Sequence, residues 1–71
     1  MQFSSRLAGQ TITCLYRLHG TGNILKRHTG VVESVTTLTS GVPALIIREE
    51  NGRYRTLRKD RMLDGKRVKN G

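Results

Sequence analysis

The chain has 71 residues, with 13 Lys and Arg against 5 Asp and Glu, a formal charge of +8 and a pI near 10.9. That length fits one small domain with a thin core, and its 18 Leu, Ile, Val and Phe residues are enough to predict that it folds. The lone Cys14 excludes an intramolecular disulfide and a Cys-based zinc site and suits a reducing cytoplasm, while the short run Ala44 to Ile47 ("ALII") excludes a membrane-spanning helix.

In chain order, residues 1–9 ("MQFSSRLAG") lack the apolar centre of a signal peptide and read as a flexible N-terminal segment. Gln10 to Leu18 ("QTITCLYRL") alternates Ile12, Cys14, Tyr16 and Leu18 on one face against Thr11, Thr13 and Arg17 on the other, with Leu15 out of phase. That alternation predicts a strand. His19 to Asn23 ("HGTGN") reads as a flexible loop. Ile24 to Thr39 reads as one long strand or two, with Gly30 marking a bend or bulge. Ser40 to Pro43 is a turn. Ala44 to Lys59 predicts a β-hairpin, in which Asn51-Gly52 suits the two positive-φ positions of a type I′ turn. Asp60 to Leu63 suits a short 3-10 turn and Gly65 to Val68 a closing strand, with 69–71 fraying at the end.

Five short strands with almost no helix imply a single small β-barrel over residues 10–68, because a flat sheet of this size buries too little. Its expected core is Ile12, Cys14, Tyr16, Leu18, Val32, Val35, Leu45, Ile47, Leu57, Met62 and Leu63. Val32 and Val35 cannot share a face in a regular strand, so a bulge between them is implied.

The stretch Asn51 to Leu63 ("NGRYRTLRKDRML") places a hairpin before Arg-x-Leu-Arg-x-Asp-Arg-hydrophobic, Arg55 to Met62. It resembles the last strands of bacterial Sm-like small barrels. It is similar to the end of the Sm-like inhibitors of the termination factor Rho and to the tail of the WYL domain of bacterial transcription regulators. The resemblance implies an Sm-like or Src-homology-3-like barrel with Leu57 and Met62 packed inside, and a transcription or nucleic-acid setting in a bacterium, phage or plasmid. The Trp-Tyr-Leu signature that names the WYL domain is absent, and Lys59 stands where those families carry an apolar residue.

Nothing in the sequence assembles a catalytic or metal site. Glu49 and Glu50 are successive residues whose side chains diverge to opposite faces of a strand. Cys14 falls on the inner face, where a small apolar residue belongs. Cys14, His19 and His28 do not fit a metal-ligand spacing. A non-enzymatic protein without cofactor is therefore expected.

The charge is more informative. Gly52 to Gly71 holds eight Lys and Arg against Asp60 and Asp64, a net +6. Arg53, Arg55, Arg58, Lys59, Arg61, Lys66 and Arg67 are expected to contact the phosphates of nucleic acid, DNA or RNA, with Tyr54 the one aromatic among them. Lys26 and Arg27 form a second patch, beside glycines that offer either a backbone nest for phosphate or an ordinary loop. The alternative is a module that docks on an acidic surface of a nucleic-acid-processing protein. Open barrel edges also permit homo-oligomerisation.

Overall fold

The computed structural model describes residues 1–18 and 24–68; the expected loop at 19–23 and the frayed end at 69–71 lie outside them. Five strands form one sheet: β1 (Thr11–Arg17), β2 (Leu25–Thr37), β3 (Pro43–Glu49), β4 (Tyr54–Arg58) and β5 (Met62–Arg67). Their order is β4-β3-β2-β1-β5, and every neighbouring pair is antiparallel. The all-β expectation holds. Among the described residues no strand pairing joins β4 to β5, so the sheet is open along its backbone. A side chain reaches across instead: Tyr16 Oη, on β1, accepts the backbone N–H of Arg58 at the end of β4 at 3.1 Å.

β2 is one strand of 13 residues. Its early part pairs with β1 and its later part with β3. The bulge implied by Val32 and Val35 is present: Val32 pairs with Ile47 and Ser34 with Ile46, so Glu33 is the extra residue. Val35 thereby returns to the inner face opposite Leu45. Gly30 is not the bulge. It is buried where a Cβ would come 2.6 Å from the Arg48 carbonyl oxygen, so its role is close approach of two backbones.

The β3–β4 hairpin forms, but not through a type I′ turn. Only Gly52 has positive φ, at +83°. Its N–H donates to the Glu49 carbonyl, and Glu49 N–H donates to the Arg53 carbonyl, both at 2.8 Å. The connection is therefore the three-residue kind, with one left-handed residue. Asn51 stays out of that region because its side-chain oxygen accepts the Arg53 N–H at 3.0 Å.

The second 3-10 turn spans Lys59–Arg61, one residue earlier than expected, and β5 starts at Met62 rather than Gly65. Met62 and Leu63 pair with Tyr16 and Leu15, and Ile12 and Thr13 with Arg67 and Lys66. Three steps on β5 match two on β1, so a bulge at Asp64-Gly65 absorbs the surplus, with Asp64 at φ +53°. A strand interrupted by this bulge does not alternate, which is why Met62 and Leu63 read as part of a turn.

The core is Leu7, Ile12, Cys14, Val32, Leu45, Ile47 and Leu57, with Phe3, Tyr16, Val35 and Met62 packed against it. Leu18 is half-buried just beyond β1, and Leu63 is 40% exposed because it faces outward beside Leu15. Residues 1–9, read as flexible, supply Leu7 through a 3-10 turn at Ser5–Leu7. Gly9 N–H to the Val32 carbonyl and Val32 N–H to the Gln10 carbonyl, at 2.8 and 2.9 Å, fasten this segment to β2.

Two substitutions test this packing. Leu7→Ala should cost about 2–5 kcal/mol, as deletion of a buried leucine does, and Gly30→Ala about 1–3 kcal/mol from overpacking. Chemical denaturation measures both; wild-type midpoints would contradict the placement of the N-terminal segment and of the Gly30–Arg48 approach.

A candidate cationic cleft

The segment that carries Leu7 into the core lies beside β5, and the two enclose a cleft of about 420 Å³. Met1, Gln2, Ser4, Arg6, Leu7, Gly65, Lys66 and Arg67 line it. Burial of Leu7 turns its neighbour Arg6 outward, and the bulge at Asp64-Gly65 shapes the opposite wall. Gly65 packs closely there: a Cβ would sit 2.8 Å from Met62 Sδ, so a side chain would require the flexible Met62 to shift. The three charged lining residues, Arg6, Lys66 and Arg67, are all cationic and exposed. Three like charges around one concavity, with no carboxylate among the described lining residues, raise a positive potential that attracts an anion.

The other expected phosphate contacts are distributed differently. Arg58 is engaged within the chain, donating Nε to Asp60 Oδ1 at 3.0 Å and Nη2 to Asp60 Oδ2 at 2.7 Å. That pairing raises the Arg58 pKa and lowers the Asp60 pKa. Lys59 lies over the Phe3 ring, its Nζ 5.6 Å from the centroid. Arg61 is half-buried in the same 3-10 turn. Arg53 and Tyr54 sit at the hairpin, where Tyr54 is 64% exposed and stands opposite Arg48. Arg27 donates to Thr13 Oγ1 at 3.2 Å on the outer face.

Lys26 and Arg55 meet in a second cleft of about 530 Å³, together with Thr29, Glu49, Glu50 and Asn51. Here two carboxylates balance two cations. Glu49 is already committed: Oε1 accepts Arg55 Nε at 3.1 Å, and Oε2 lies 3.2 Å from His28 Nδ1. The His28 hydrogen bond, followed by Arg55, holds the Glu49 carboxyl below its ordinary range despite partial desolvation. His28 is buried, edge-on to Tyr16 at 6.0 Å between ring centroids, and its Nε2 has no hydrogen-bond partner among the described residues. Glu49 thus ties β2, β3 and β4 together at their shared end.

Cys14 is fully buried opposite His28, and burial pushes its thiol pKa up. Such a thiol is a packing group. No group of three or more His, Cys, Asp or Glu among the described residues is placed to hold a metal ion. The structure thus brings Lys66 and Arg67 together and adds Arg6, while separating them from Arg53, Arg55 and Lys26. Arg6 was missed because its segment reads as flexible; the available signal was Leu7, an isolated apolar residue between small residues and Gly9. Comparison with protein-family models, curated proteins and solved structures finds no match to this chain.

The Glu49 cluster has a pH signature. A carboxyl whose pKa is lower folded than unfolded contributes stability above its unfolded pKa, and that contribution disappears as pH falls through the folded value. Glu49→Gln should therefore destabilise the protein at neutral pH and flatten the acid limb of its stability profile. Melting temperatures measured from neutral pH into the acid range check this; parallel profiles for wild type and variant would remove Glu49 as the source.

Proposed function

We propose that this protein is a cytoplasmic Sm-like or Src-homology-3-like small barrel that binds nucleic acid without catalysis, as an accessory regulator of transcription or another nucleic-acid process. The observation that carries the reading is the cleft lined by Arg6, Lys66 and Arg67, on a chain of net charge +8. Guanidinium groups suit phosphate oxygens because they donate in pairs, and an ammonium group supplies a compact point charge. Gln2 and Ser4 in the same lining add neutral hydrogen-bonding groups.

Stacking contributes little to this reading. Phe3 and Tyr16 are half-buried against the core, which leaves Tyr54 as the exposed aromatic among the described residues. The binding mode is therefore directed at the phosphate backbone and reads base sequence weakly. Arg58, with its charge met by Asp60, is a minor contributor.

Fluorescence anisotropy with a random-sequence duplex, a single-stranded DNA and an RNA, titrated with salt, tests the reading. Log affinity should fall with log salt by about 0.9 for each duplex phosphate contacted. The triple variant Arg6→Ala, Lys66→Ala, Arg67→Ala should weaken binding to all sequences alike and reduce that slope by about 2–3. Arg58→Ala should leave the slope nearly unchanged. Undiminished affinity in a folded triple variant would reject the cleft as the phosphate site.

A further inference from the structure

The outer face of the sheet carries an apolar row that the core does not use. Strand register places Leu63 of β5 opposite Leu15 of β1, and Leu15 opposite Arg27 of β2. Two residues along the same face, Arg17 stands opposite Leu25. Direct and diagonal neighbours on an antiparallel face lie within about 8 Å. Leu63, Leu15 and Leu25 therefore form one oblique row across three strands, with Arg17 and Arg27 on either side of it. Leu63 is 40% and Leu25 43% exposed, and Leu15 is half-buried.

The two arginines are available to a partner. Both are exposed, and neither forms an ion pair with a carboxylate among the described residues. Arg27 is also oriented, since its Nη1 donates to Thr13 Oγ1 at 3.2 Å, and Thr13 in turn accepts from Thr29 Oγ1 at 2.9 Å. The nearest acid along β5 is Asp64, in the bulge next to Leu63. The five strands form one sheet, so among the described residues no second sheet stacks on this row.

We propose that this face docks an acidic, apolar segment of a partner protein. The centre of the patch is hydrocarbon, which a phosphodiester backbone cannot cover but leucine or valine side chains can. The flanking guanidinium groups call for carboxylates on either side of that apolar centre, and such complementarity steers and orients the encounter. An apolar centre with a charged rim is the usual anatomy of a protein interface. Lys66, opposite Thr13, borders this surface, but Leu15, Arg17, Leu25, Arg27 and Leu63 line none of the Arg6–Lys66–Arg67 cleft, so the leucines and arginines can meet a protein partner without occupying the phosphate site.

Three labelled synthetic peptides test this: one alternating Glu with Leu, one with Lys replacing Glu, and one with Ser replacing Leu. The Glu–Leu peptide should bind, and each control should bind at least about tenfold more weakly. Amide shifts on binding should centre on Thr13, Leu15, Arg17, Leu25, Arg27 and Leu63. Leu25→Ser with Leu63→Ser, both at exposed positions, should weaken binding about tenfold or more, as should Arg17→Glu with Arg27→Glu. Random-sequence duplex affinity should persist in the leucine variant.

Absence of binding by the Glu–Leu peptide would overturn the proposal, as would equal binding by the Glu–Ser peptide, which would reduce the surface to charge alone. Shifts centred on Arg6, Lys66 and Arg67 would overturn it too. Sedimentation showing a dimer that Leu63→Ser dissociates would assign the face to a second copy of this chain and equally reject an acidic partner.

Discussion

The fold turns on what β2 must do at its middle. Thr11 to Arg17 of β1 pair with residues 25–31 of β2, and Pro43 to Glu49 of β3 with residues 30–37, so the two ladders overlap only at Gly30 and Val31. There a backbone is flanked on both sides, and the Arg48 carbonyl comes too close for any Cβ on residue 30. Three residues later Glu33 adds the bulge that returns Val35 to the inner face. Without the glycine the neighbouring strands separate. Without the extra residue, the inner face loses either Val32 or Val35. Leu45, Ile47 and Leu57 can then close over Ile12 and Cys14, and Leu7 covers one end.

The open sheet also manages its margins with side chains. β4 and β5 are the outermost strands and share no ladder among the described residues. Tyr16 spans the gap by accepting the Arg58 N–H, so one of the backbone donors of β4 is satisfied by a side chain. The same Tyr16 packs edge-on against His28, which meets one Glu49 carboxylate oxygen while Arg55 meets the other. Packing, the Tyr16 link between β1 and β4, and internal charge pairing thus run through a few shared residues.

This internal pairing sorts the many cations by role. Arg55 and Arg58 are satisfied by Glu49 and Asp60, and Arg48 by Glu33 at 3.2 Å. Each acid that fixes the fold removes one cation from the set that can meet a ligand. Arg6, Lys66 and Arg67 converge on a concavity, whereas Arg17 and Arg27 flank exposed leucines. The concave cationic site is the one proposed to meet phosphate, and the face with leucines between arginines the one proposed to meet a protein. The uneven pairing of charges therefore separates two surfaces on a domain of 71 residues.

Much of this was legible in the chain itself. Alternation in Gln10 to Leu18 and the apolar run Ala44 to Ile47 marked strands, Asn51-Gly52 marked a hairpin, and the spacing of Val32 and Val35 required the bulge now seen at Glu33. These are local consequences of a two-residue period and of turn chemistry. Local pattern could not place Met62 and Leu63 in a strand, because the bulge at Asp64-Gly65 breaks the period there. Nor could it distinguish a glycine that bends from one that admits a neighbouring carbonyl, as Gly30 does. The basic composition was plain, but which cations stand together was not. Arg6 joins Lys66 and Arg67 only because Leu7 is drawn into a core assembled by distant strands, and such pairings depend on non-local burial. Strand count, the position of the β3–β4 hairpin and net charge belong to the sequence; the grouping of charges into sites was decided by the tertiary fold, because side chains far apart in the chain are brought together only by packing.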